Sequence, residues 1–113
     1  MVNNSMEPLD AVFGALSDPS RRYMLSRLAH GPMTVSDIAR PLPISLPAAS
    51  KHIRVLELSG LVTRVRQGRT HTLTLNADAL NAAEDWIKTQ RRFWDTQLDS
   101  LERFLADEEQ EEK

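Results

Sequence analysis

Side chains able to do covalent or metal chemistry are few and scattered in this sequence. There is no cysteine, which removes thiolate nucleophiles, disulfides and cysteine-based zinc sites. The three histidines, His30, His52 and His71, stand far apart, whereas a transition-metal site needs three or four converging N or S ligands, so no metal site is expected. The acids gather toward the C-terminal end, away from His52 and His71. No nucleophile–base pair or carboxylate pair stands out, and neither an enzymatic activity nor a cofactor is expected. What recurs at meaningful spacing is positive charge. Lys51 and Arg54 fall within a helical pattern, and Arg64, Arg66 and Arg69 follow within a hairpin pattern. Ammonium and guanidinium groups so placed neutralise phosphates and read base edges, which is the chemistry of double-stranded DNA binding.

The formal net charge of -2 conceals this basic module. Residues 1–32 carry three basic and three acidic side chains, and residues 33–75 carry six basic and two acidic. Residues 76–113 carry five basic and eleven acidic, so the chain is polarised and its overall charge is uninformative about partners.

The basic side chains need a helix and a hairpin to position them. The spacing predicts a helix over about 45–59: the Ser45 hydroxyl can cap free N–H groups, Pro47 suits the first turn, and Gly60 ends the helix. Ala49, Ile53 and Leu56 recur at helical spacing and give its buried face. The other side carries Pro47, Ala48, Ser50, Lys51 and Arg54, with small residues at the N-terminal end allowing close approach to another surface. A helix of this shape fits the major groove. The following residues, about 61–75, alternate as two strands around the turn Gln67-Gly68-Arg69. Arg64, Arg66 and Arg69 sit where such a wing would meet a phosphate backbone or minor groove.

The rest of the chain supplies a frame. At 113 residues with 41% hydrophobic side chains the chain is one domain with a small core. Residues 1–7 read as a flexible start without the marks of a signal peptide, and no stretch is apolar enough to span a membrane, so a cytoplasmic protein is the default expectation. Leu9, Val12, Phe13 and Leu16 form the stripe of a first helix. Asp18-Pro19 starts a second, with Met24, Leu25 and Leu28 inward and Arg21, Arg22 and Arg27 left for solvent or phosphate. Met33-Thr34-Val35 suits one short strand, and a third helix of about two turns begins near Ser36 and is limited by Pro41 and Pro43. Short helix, turn and second helix make a helix-turn-helix. After the wing, Asn76 can cap a long last helix running to about residue 105, with residues 106–113 as an acidic disordered tail. Trp86, Ile87, Phe93, Trp94, Leu98 and Leu101 give that helix a wide apolar stripe that calls for a second chain, with Leu9 and Phe13 of the first helix joining the interface.

The runs Ala15-Leu16-Ser17-Asp18-Pro19-Ser20-Arg21-Arg22, Thr34-Val35-Ser36-Asp37-Ile38-Ala39, Gln67-Gly68-Arg69 and above all Ser50-Lys51-His52-Ile53-Arg54-Val55-Leu56-Glu57 before Gly60-Leu61-Val62 resemble the ArsR/SmtB family of bacterial winged-helix repressors. The resemblance spans roughly residues 8–105. It implies a homodimer paired through the first and last helices, bound to a palindromic operator and blocking transcription. By family position Ser50, Lys51, His52 and Arg54 lie in or beside the major groove, and Arg66 and Arg69 belong to the wing. Many members sense metals through cysteines at the start of the third helix or histidines on the last. Here the third helix begins Ser36-Asp37 and the last helix has no histidine.

The expected fold is therefore mainly α with a small β-hairpin wing, a winged helix-turn-helix of about five helices, dimeric through the first and last. The expected function is operator binding by Ser45, Pro47, Ala48, Ser50, Lys51, His52, Arg54, Arg64, Arg66 and Arg69. A winged-helix module that binds protein, or a metal-responsive repressor with a non-standard site, are the alternatives, and the sequence points to no particular small-molecule effector.

Overall fold

Of the three short N-terminal helices, the second and third start where their own sequence caps them. The computed structural model describes residues 8–111; the expected flexible start, residues 1–7, lies outside them, as do residues 112 and 113 of the expected tail. Helix α1 spans Pro8–Leu16 and α2 spans Pro19–Leu28. The Asp18 carboxylate accepts the Ser20 and Arg21 N–H groups at 2.8 and 3.3 Å, capping α2 behind its N-terminal proline. The two-residue strand β1, Met33–Thr34, leads into α3, Val35–Ala39. This third helix starts one residue earlier and is shorter than the two turns expected, because the Thr34 hydroxyl already accepts the Asp37 N–H at 3.1 Å.

Arg21 and Arg22, expected for solvent or phosphate, are tied to the end of α1, although Arg22 stays exposed. The Arg21 guanidinium donates to the carbonyls of Ala15 at 2.7 Å and Gly14 at 3.1 Å, and Arg22 donates to Leu16 O at 2.7 Å. These carbonyls close α1 and have no partner within the helix, so the two arginines satisfy them from the next helix and fix the α1–α2 corner. Arg27 lies over the Tyr23 ring, 5.9 Å from its centroid.

Helix α4, Leu46–Leu58, follows the pattern of its sequence: the Ser45 hydroxyl accepts the Ala48 N–H at 3.2 Å, and Ala49, Ile53 and Leu56 are buried. Its end is a Schellman turn. Gly60 takes φ 84°, its N–H reaches Glu57 O at 3.1 Å, and the Leu61 N–H reaches Leu56 O at 3.2 Å. Leu56 and Leu61 are both buried, so the turn that ends α4 also feeds the next strand into the core.

Strands β2, Val62–Gln67, and β3, Thr70–Leu75, form an antiparallel hairpin, and β1 adds to β3 to give a three-stranded sheet in the order β1-β3-β2. Gly68 is the first of two loop residues and has φ 62°, while Arg69, like every described non-glycine residue, has negative φ, the arrangement of a type II′ turn. Val62 and Leu73 are buried and join Val12, Met24, Leu28, Ile38, Ile53 and Leu61 in one core.

A single 3-10 turn, Ala77–Leu80, precedes α5, Asn81–Glu111. Asn76 does not cap it as expected; its side-chain amide donates to Gly60 O at 3.0 Å and its backbone N–H to Leu61 O at 2.8 Å, tying the chain back to the end of α4. Helix α5 also runs through Glu111, so residues 106–111 of the expected disordered tail are helical. Ala106, Glu108, Glu109 and Gln110 are favourable helix formers, and no glycine or proline interrupts them. The chain forms two compact units that divide between Ala83 and Glu84. The first holds every element up to the start of α5, anchored by buried Ala83; the second is the remainder of α5.

Candidate nucleic-acid interface

Opposite the buried face of α4 lies a stripe of exposed side chains at helical spacing, Pro47, Ser50, Lys51 and Arg54. Positions i, i+3, i+4 and i+7 share one face, so these four point the same way. Ser45 is exposed at the N-terminal end, where its hydroxyl also serves the cap, and Ala48 is half-buried beside the stripe. Leu46, 61% exposed, completes the N-terminal end of this face and was not anticipated from sequence. Its spacing of three and seven residues from Ala49 and Ile53 reads as core, yet it is exposed at the first position of α4.

The wing stands beside this face. Arg66 and Arg69 are exposed at its tip, on either side of the Gly68 turn. Arg64 is different. Register pairs it with Leu73 on the same sheet face as buried Val62, so it points inward against α4. Its Nη2 and Nε donate to the two Glu57 oxygens at 2.7 and 3.1 Å, and its Nη1 lies 2.9 Å from His71 Nδ1. Arg64 is therefore ion-paired within its own chain, unlike Arg66 and Arg69, because period-two alternation placed Arg64 and Arg66 on one face but could not show which face the core covers. His52 is likewise half-buried, with Nδ1 3.1 Å from Arg21 Nη1. Because a guanidinium can only donate, Nδ1 accepts in both cases and the proton of each neutral imidazole sits on Nε2.

These pairings sort the charges of the basic module. Of its six basic side chains, Arg64 is matched by Glu57 and Arg40 by Asp37 at 3.0 Å. The other four, Lys51, Arg54, Arg66 and Arg69, have no hydrogen bond or ion pair among the described residues, and they are the four on the outer face of α4 and the wing tip. A cleft of about 420 Å³ opens between the two, lined by Thr34, Ser36, Leu46, Ser50, Arg69 and Thr70 among others. Thr34, Ser36 and Thr70 also line this cleft, and no local pattern singles them out because their proximity depends on β1, α3 and β3 meeting in the fold. At the N-terminus of α2, partial desolvation works to raise the Asp18 carboxyl, but the N–H groups of Arg21 and Ser20 and the nearby Arg21 guanidinium outweigh it and hold the group below its usual range.

Among the described residues no three His, Cys, Asp or Glu side chains gather to hold a metal ion. No helix of the described residues is long and apolar enough to cross a membrane. Helix α5 instead exposes Ile87, Phe93, Trp94, Leu98, Leu101, Phe104 and Leu105, each at least 45% accessible, with Trp86 at 48%. Leu9 and Phe13 of α1, expected at the same interface, are half-buried and pack against the core of their own unit.

A helix-turn-helix domain family matches residues 16–65. Over 99 residues the chain is 35% identical to the HTH-type transcriptional regulator Rv2034 of Mycobacterium tuberculosis, which covers 88% of this chain and 90% of that protein. It is 35% identical over 79 residues to the transcriptional repressor SdpR of Bacillus subtilis, covering 70% of this chain and 88% of the relative. A crystal structure of an ArsR family transcriptional regulator superposes with a TM-score of 0.76 at 42% identity, over 79% of this chain and 98% of that one.

Proposed function

The chain belongs to the ArsR family of DNA-binding transcriptional regulators, and we propose that it represses transcription as a homodimer on a two-fold symmetric operator. The observation that carries this reading is the charge sorting: among the described residues, the four cations of the 33–75 module without partners all lie on the outer face of α4 and the wing tip. In the proposed complex the face from Pro47 to Arg54 enters the major groove, where Ser50, Lys51 and Arg54 reach base edges or flanking phosphates. Arg66 and Arg69 rest on the adjoining backbone or in the minor groove and fix the orientation of the unit. His52 contributes through Nε2 only, since Nδ1 is held by Arg21.

Two such units reading successive major grooves about 34 Å apart require a two-fold dimer. The apolar face of α5 supports that assembly: Ile87, Phe93, Trp94, Leu98 and Leu101 repeat along one stripe, and an exposed apolar stripe of that length is rare on a monomer. The relatives matched are regulators rather than enzymes, and no catalytic role is proposed for the chain.

Lys51→Ala and Arg54→Ala test the assignment of the reading helix. Each should weaken dimer binding to a specific duplex by roughly a hundredfold, the value of one charge-assisted contact per protomer, with the thermal unfolding midpoint unchanged. Undiminished affinity in both variants would remove α4 from the interface.

A further inference from the structure

Three elements converge on one guanidinium. Glu57 lies in the last turn of α4, Arg64 in β2 and His71 diagonally across in β3, and each of the three guanidinium nitrogens has a partner: Nε and Nη2 on the Glu57 carboxylate at 3.1 and 2.7 Å, Nη1 on His71 Nδ1 at 2.9 Å. The two charged side chains are only 30% and 26% exposed, so this is a forked, partly desolvated pair rather than a solvated surface contact.

Its place in the sheet gives it a task. Strand β1 pairs with β3 only at Met33↔Leu73 and Thr34↔Thr72. Beyond Thr72 the hairpin continues as two strands through Arg66↔His71 and Gln67↔Thr70, and a two-stranded hairpin by itself is marginally stable. The Glu57–Arg64–His71 cluster sits where the supported sheet gives way to this free tip, and the tip carries Arg66 and Arg69. We propose that Glu57 and Arg64 are positioning residues: through His71 they clamp the wing tip to the end of α4 and hold its two cations at the spacing that DNA requires. This rests on the DNA-binding reading above, which would otherwise make Arg64 a phosphate contact.

Glu57→Gln, Arg64→Gln and Arg64→Lys, made in the full chain, distinguish the two roles. The measurements are thermal unfolding, amide hydrogen exchange across residues 65–71, and binding to a labelled 30-base-pair duplex over a salt series. Positioning predicts that all three variants fold, exchange faster at the tip while the amides of α4 keep their protection, and bind about tenfold or more weakly. Arg64→Lys fails with the others because an ammonium cannot present the fork to a carboxylate. The salt dependence stays that of the wild type, since Arg66 and Arg69 are retained and only the cost of ordering them rises. The proposal is overturned if Arg64→Lys binds like wild type, or if Glu57→Gln binds as tightly as wild type or tighter, because either result makes Arg64 a direct phosphate ligand. Unchanged tip exchange in Glu57→Gln overturns it as well, and that readout holds even if the wild-type protein bound no duplex and the DNA-binding reading itself had failed.

Discussion

Salt dependence converts the charge sorting into a number. In the proposed dimer each protomer presents Lys51, Arg54, Arg66 and Arg69 without an internal partner, so eight cations would meet the duplex. If each neutralises one phosphate, counterion release gives a slope of log affinity against log salt of about −7, or roughly a 10⁴-fold loss between 50 and 200 mM salt. Arg66→Gln removes one cation per protomer and should bring the slope to about −5, so that the same salt step costs only about 10³-fold. Arg64→Gln should leave the slope where it was, because the Arg64 charge is already met by Glu57 at 2.7 Å. Fluorescence anisotropy with any labelled duplex of sufficient length reads these slopes, since non-specific binding uses the same phosphates. A slope unchanged by Arg66→Gln, or an equal fall in both variants, would refute the sorting of the charges.

Three further outcomes are expected. Trp94→Ala takes on the order of 100 Å² of apolar surface per protomer out of the proposed interface, about 2–3 kcal/mol, so sedimentation should show a dimer weakened at least tenfold and anisotropy a parallel loss of DNA affinity; a monomer with full affinity would sink the two-fold assembly. Ser45→Ala removes the hydroxyl that accepts the Ala48 N–H and should cost about 1 kcal/mol in chemical unfolding, with the first turn of α4 exchanging faster. The Asp18 carboxyl is held below its usual range in the fold, so its contribution is present above the unfolded value of about 3.9 and is lost as pH falls through the folded one. Asp18→Asn keeps a capping side chain but cannot titrate, and its unfolding curve should therefore be flatter with pH below that range; an identical acid profile for the two proteins would contradict the assignment.

The parts of the fold that sequence reasoning recovered are those governed by local rules. Ser45, Pro47 and Gly60 bound α4 because caps and terminators act within one turn, and Ala49, Ile53 and Leu56 declare its inner face through a 3.6-residue period. Gly68 marks the wing turn for the same kind of reason, a φ of 62° that suits glycine. What escaped depends on separations that no local pattern encodes. Arg21 and Arg22 look like free cations until α2 folds back and offers them the last carbonyls of α1. Arg64 looks like its neighbour Arg66 until the core is known to cover the Val62 side of the sheet and Glu57 is brought against it. Residues 106–111 look like a tail on charge alone, although their helix-forming side chains let α5 continue. Within the interface, Lys51, Arg54, Arg66 and Arg69 kept the exposed positions that their spacing implied, while His52 and Arg64 are committed to partners inside the chain.

The central claim is that the outer face of α4 and the wing tip bind specific DNA. The most direct measurement is an anisotropy titration of the purified full chain against its own upstream DNA and a scrambled duplex of equal length, at several salt concentrations. Tighter binding to the upstream duplex, weakening steeply as salt rises, is the expected result. Equal and salt-insensitive binding to the two duplexes, or none to either at low salt, would contradict the claim.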